Sequence, residues 1–128
     1  MSDSDKKQVG LTNRGGEALA VLMKTGLFPN ESDAYRVGIA YSLAKQLNLN
    51  AAPESGYHTK FNAVGGLDTD GRIRQLIEVL RPELSDRPYA TAEKLAELGI
   101  VELGRRVNEH DSIPTILSEL SVESESAS

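Results

Sequence analysis

Lys7-Gln8-Val9-Gly10-Leu11-Thr12, running on into Asn13-Arg14-Gly15-Gly16-Glu17-Ala18-Leu19, is where the period of the chain changes from two to nearly four. In the first six residues apolar side chains alternate with polar or absent ones, the period of a strand with one buried face. Beyond Gly15-Gly16, Ala18, Leu19, Leu22 and Met23 form a single apolar helical stripe that Thr25-Gly26 can end, predicting a first helix over about residues 13–25. Pro29-Asn30-Glu31-Ser32 restarts a helix, with Asn30 or Ser32 able to accept a bond from the free amides of its first turn. Small or apolar residues follow nearly all round that second helix: Ala34, Tyr35, Val37, Gly38, Ala40, Tyr41, Leu43, Ala44 and Leu47. A helix of that kind is expected to be covered by a second chain as well as its own.

Over residues 6–50 this strand, helix, turn, helix order resembles the ribbon-helix-helix (MetJ/Arc-type) DNA-binding family. The signature that opens the family's second helix reads here Ser32-Asp33-Ala34-Tyr35-Arg36-Val37-Gly38-Ile39. The resemblance implies an intertwined homodimer in which the strands of two chains pair antiparallel and enter the major groove. Val9 and Leu11 would then face the core, and Gln8, Gly10 and Thr12 the DNA. Gln8 could pair with adenine and Thr12 could donate or accept, while Gly10 leaves the middle reading position empty, so sequence readout is expected to be weak. Lys6, Lys7 and Arg14 would hold phosphate, and Asn30 and Ser32 would offer the start of the second helix to a backbone phosphate. Glu31 and Asp33, in the same turn, stabilise the helix but repel a phosphate there. Arg36 is either a further phosphate ligand or an ion-pair partner of Asp33, and the ion pair is the favoured reading.

A second, fainter similarity rests on Asp33-Ala34-Tyr35-Arg36-Val37-Gly38-Ile39-Ala40 followed by an all-helical rear half. It points to small accessory proteins of phosphorothioation-type DNA modification and phage-defence systems. Such a protein would be a structural or adaptor subunit that contacts DNA without reading sequence, or contacts only other proteins.

The chain has 128 residues, 39% of them hydrophobic, enough for a modest core that oligomerisation would enlarge. It carries no cysteine, which excludes disulfides, thiolate metal sites and cysteine nucleophiles. No apolar run approaches the roughly 20 residues of a membrane span, and residues 1–7 lack the apolar core of a signal peptide, so a cytoplasmic protein is expected. The net charge of -5 weighs against a nucleic-acid binder, yet it is unevenly spread. Six cations (Lys6, Lys7, Arg14, Lys24, Arg36, Lys45) against three carboxylates (Glu17, Glu31, Asp33) leave residues 6–50 at +3. The acids concentrate in the rear half and in a tail where Glu119, Glu123 and Glu125 sit among serines.

Residues 1–50 are thus read as the dimerising and DNA-contacting region, with 1–5 a disordered lead, and 51–67 as a connector rich in turn formers. Within the connector, Tyr57-His58-Thr59-Lys60-Phe61-Asn62 is an aromatic and basic island, read as packing in preference to base stacking. Residues 68–110 form a helical extension. A calcium loop starting at Asp68 fails because Val79 stands where an acid is needed, and a phosphate loop fails because Arg72-Ile73 follows Gly71. Asp68 or Asp70 instead caps a helix whose stripe is Ile73, Leu76, Ile77 and Leu80, stopped by Pro82. Arg72, Arg74 and Arg81 read as its solvated side. Pro88 opens another helix with the stripe Ala92, Leu95, Ala96, Gly99, Ile100, Leu103 and Val107, running to about Arg106; Gly99 either permits close helix contact or ends it. Residues 111–128 are a short amphipathic segment, with 111–120 a candidate partner-binding element, and a disordered acidic tail.

His58 and His110 are isolated, and no Ser-His-Asp, HExxH or glycine-rich nucleotide motif appears, so no enzyme, cofactor or metal is expected. The leading expectation is a mainly α, homodimeric, non-enzymatic DNA-binding protein, a small transcriptional regulator or antitoxin. The alternative is the accessory subunit described above.

Overall fold

The computed structural model describes residues 5 to 127, the side chains of residues 121 to 127 excepted. Two short strands and five helices follow in the order β1 (Gln8–Leu11), α1 (Asn13–Lys24), α2 (Glu31–Lys45), β2 (His58–Asn62), α3 (Arg72–Leu80), α4 (Pro88–Asn108) and α5 (Ile113–Ala127).

The core is built around α4. Pro88 sits in its first turn, where a missing N–H costs nothing, and the Asp5 carboxylate accepts from the free amides of Tyr89 (3.0 Å) and Ala90 (2.9 Å). Asp5, assigned to a disordered lead by its composition, is therefore the cap of the longest helix; residues 1–4 of that lead lie outside the described residues. The helix continues through Gly99, whose role is close packing. A Cβ there would stand 2.0 Å from the Gly38 carbonyl oxygen, and one on Gly38 would stand 2.7 Å from Cγ1 of Ile100. The paired glycines let the backbones of α2 and α4 meet, and Ser42 donates across the contact to the Leu95 carbonyl at 2.6 Å. Gly104 similarly admits α1 at Ala18.

This contact, with α1 and α5, absorbs the all-round apolar character of α2. Ala34, Tyr35, Gly38, Ile39, Tyr41, Ser42 and Leu43 are buried within one chain, while the small Ala40 and Ala44 face outward. On its buried faces α2 is covered by α4 of the same chain. The helix starts are as their residues require: Thr12 caps α1 by accepting from Gly15 N, and Asn30 caps α2 by accepting from Asp33 N.

The chain also supplies the partner for its own strand. β1 pairs antiparallel with β2, Gln8 opposite Asn62 and Val9 opposite Phe61, then after a bulge Gly10 opposite Thr59 and Leu11 opposite His58. The resemblance implies pairing with a second chain, and residues 51–67 read as a connector; that connector contains β2, four of whose five residues are exposed. Gly10, read as an empty outward position, is buried against β2, where a Cβ would lie 1.7 Å from the His58 carbonyl oxygen.

In α3 Asp68 is the principal cap: 2% exposed, it accepts from Ile73 N (2.9 Å), Arg74 N (3.1 Å) and the Tyr89 hydroxyl (2.8 Å). Only Ile73 and Ile77 of its stripe are buried, leaving Leu76 and Leu80 exposed. In α5 Ile113 and Ile116 are buried against the body, and Arg106 clasps Asp111 (2.9 Å) and both Glu119 oxygens (2.8 Å). The apolar stripe of 111–120, considered above for a partner, packs on its own chain. The backbone of α5 stays helical to Ala127, through the stretch expected to be a disordered acidic tail. No helix among the described residues is long and apolar enough to cross a membrane.

Candidate nucleic-acid interface

A strand has two hydrogen-bonding edges, and an unpaired one invites another chain. One edge of β1 faces β2; beside the ladder, Ala63 N donates to the Lys7 carbonyl at 2.9 Å. The other edge is closed by side chains. Gly10 N donates to Glu93 Oε2 at 2.9 Å, Thr12 N to Glu97 Oε1 at 3.0 Å, and the Gly10 carbonyl accepts from the Tyr35 hydroxyl at 2.9 Å. Glu93 and Glu97 lie one turn apart on α4 and are 4% and 2% exposed. Buried carboxylates need partners, and both have them. Lys6 Nζ reaches Glu93 Oε1 at 2.5 Å, and the Thr12 hydroxyl donates to Glu97 Oε2 at 2.6 Å. Gly15 makes room, since a Cβ there would fall 2.2 Å from Glu97 Oε1.

Two tyrosines border this acidic seal. Burial, and then the charge of Glu93, push the Tyr35 hydroxyl well above its ordinary value. Burial, and then the charges of Glu97 and Glu93, raise Tyr57. Both rings are therefore neutral hydrogen-bonding groups: Tyr35 packs edge-on against Phe61 at 5.1 Å between centroids, and Lys6 Nζ lies 5.5 Å over the Tyr57 ring.

The residues expected to contact DNA divide accordingly. Lys6 is committed to Glu93, and Thr12 caps α1 while bound to Glu97, so neither projects a free group outward. Lys7 and Gln8 are exposed and, with Lys6, line a hollow of about 560 Å³ completed by Tyr57, Thr59, Asn62 and Glu93. Arg14 is exposed in another hollow, beside Leu47, Leu98 and Val101. Asn30 and Ser32 are engaged with each other and with the start of α2, which Lys60 joins to β2 through Glu31 at 3.4 Å. Arg36 makes the ion pair with Asp33 (3.0 Å) and also donates to the Leu67 carbonyl at 2.9 Å. Lys7, Arg14 and Lys24 have no ion-pair partner among the described residues.

Thr59 and Asn62 were missed as members of this surface, and Glu93 and Glu97 as its foundation. A signal for the glutamates was present: they share the helical face of Ala96, Ile100 and Gly104, where an unpaired carboxylate would be costly.

Compared with family models, curated proteins and solved structures, the chain finds no match in any of the three.

Proposed function

We propose that this is a non-enzymatic, DNA-associated accessory protein that holds DNA through the outer face of the β1–β2 ribbon and reads little sequence. The observation that carries this reading is the asymmetry of β1. Its inner edge is sealed by Glu93, Glu97 and Tyr35, while Lys7 and Gln8 beside Thr59, Lys60 and Asn62 present an exposed polar surface on the two strands. A two-stranded ribbon is of a width the major groove admits. With few unpaired cations and a net charge of -5, phosphate attraction is modest, as suits a subunit that works beside other proteins.

The test is fluorescence anisotropy of a mixed-sequence duplex at low and raised salt. Binding that weakens steeply with salt, and weakens uniformly across sequences in Lys7→Ala, supports the reading. No binding at low ionic strength would sink it.

A second reading, the homodimeric ribbon-helix-helix regulator or antitoxin, is favoured by the β1, α1, α2 order and the Asn30 cap. It asks β1 to exchange its present bonds for a partner strand. Sedimentation at micromolar concentration separates the two: a folded monomer removes the intertwined dimer, and an obligate dimer restores it.

A further inference from the structure

The hollow beside Arg14, about 390 Å³, shares no lining residue with the one on the ribbon's outer face. Leu98 and Val101, one turn apart on α4, line it together with Leu47 from beyond the end of α2 and with Ala51 and Pro53 from the connector. Leu47, Leu98 and Val101 are half-buried, so three aliphatic side chains keep part of their surface in water. The gain from covering that surface is left unrealised by the fold. Both carboxylates at the wall are engaged: Glu97 accepts from Thr12 N and the Thr12 hydroxyl, and Glu102 is held by Arg105. Arg14, exposed in the first turn of α1, has no hydrogen-bond or ion-pair partner among the described residues. Its guanidinium is a planar fork that takes a carboxylate through two parallel bonds. A cation at the edge of an apolar hollow defines its counterpart, an anionic group at one end of an apolar body.

We infer that this hollow is a binding site for a small monocarboxylate with an aliphatic or aromatic body, Arg14 holding the carboxylate and Leu47, Leu98 and Val101 the body. A concave, mostly apolar site with very few converging polar groups is the usual form of a small-molecule site. A phosphate, free or in a DNA backbone, has no apolar part. It would gain the charge contact alone, leave the aliphatic wall wet and lie near Glu97 and Glu102. The surroundings of Arg14 therefore fit a small apolar acid better than the phosphate that its place in the sequence suggests. The site does not depend on the ribbon holding DNA.

The experiment is an amide chemical-shift titration of the labelled full chain with phenylbutyrate, set beside phenylbutanol, which lacks the charge, and acetate and inorganic phosphate, which lack the apolar body. Phenylbutyrate should move the amides of Arg14, Leu47, Leu98 and Val101 and bind about tenfold more tightly than any of the other three. Arg14→Ala, at an exposed position, should keep a folded spectrum and lose about tenfold in affinity for phenylbutyrate, with Arg14→Lys recovering part of it. Val101→Gln, which sets a polar side chain in the wall, should weaken phenylbutyrate while leaving Arg14 in place. Phenylbutanol, acetate or phosphate binding as tightly as phenylbutyrate would overturn the inference. So would unchanged affinity in both Arg14→Ala and Val101→Gln, shifts centred away from the hollow, or no shift at millimolar phenylbutyrate.

Discussion

At Gly10 in the first strand and Thr12 just past its end the amides meet buried carboxylates, whereas at Gln8, two residues before Gly10, a free carboxamide lies opposite another in open solvent. The same short segment carries a structural half and an available half. The sealed half replaces a third strand with two glutamates and a tyrosine, so the strand edge is satisfied without another chain. The exposed half is left with side chains that the fold does not use. Substitutions on the two halves should therefore separate stability from binding.

The largest effect is expected at the sealed half from Gly10→Ala. Its Cβ would meet the His58 carbonyl, backbone against backbone, so the strands must part. A loss of about 3 kcal/mol or more in urea denaturation is expected, at the upper end of overpacking costs. Wild-type stability in this variant would mean that the two strands are not held this closely.

Next comes Glu97→Ala, which strips Thr12 N and the Thr12 hydroxyl of their acceptor. About 2 kcal/mol is expected, the cost of a polar group left without its bond. Glu97→Gln should recover part of it, because the amide oxygen can still accept. Equal losses in the two variants would show that packing, and not the hydrogen bonds, holds the edge.

A smaller effect, confined to alkaline solution, follows from Tyr89. Burial, and then its bond to Asp68, raise its hydroxyl from 10.0 to about 12. A raised value means that the folded state binds the proton more tightly. The contribution is complete below pH 10 and is lost as pH rises toward about 12. Tyr35 and Tyr57 shift in the same direction. Tyrosinate absorbance from Tyr35, Tyr57 and Tyr89 should therefore appear late, together with unfolding; early titration of these three in the folded protein would contradict the burial described.

The smallest effect on stability is expected at the exposed half. Gln8→Ala and Asn62→Ala should change unfolding free energy by no more than about 0.5 kcal/mol. A larger loss would mean that the ribbon's outer face is structural after all.

Local patterns made part of this legible. Alternation around Val9 and Leu11, the cap Asn30, and the stripe from Ala92 to Val107 each lie within a few residues of what they determine, and the structure follows them. The long-range choices were not readable in this way. His58–Asn62 becomes a strand because β1 lies beside it, and four of its five side chains are exposed. Glu93 and Glu97 acquire their role from amides more than 80 positions away. Gly99 was compatible with a helix end until Gly38 was brought against it. In the candidate site, Lys7 and Gln8 remained available, whereas Lys6 and Thr12 are held by acids that no local pattern connects to them.

The account turns on which side of β1 is open, and amide chemical shifts report that directly. Titrating a short duplex into the labelled protein should move the resonances of Lys7, Gln8, Thr59, Lys60 and Asn62, while the Gly10 and Thr12 amides keep slow hydrogen exchange before and after DNA is added. Perturbation centred on Gly10 and Thr12 with loss of their protection, or duplex binding that leaves the ribbon residues unmoved, would contradict it.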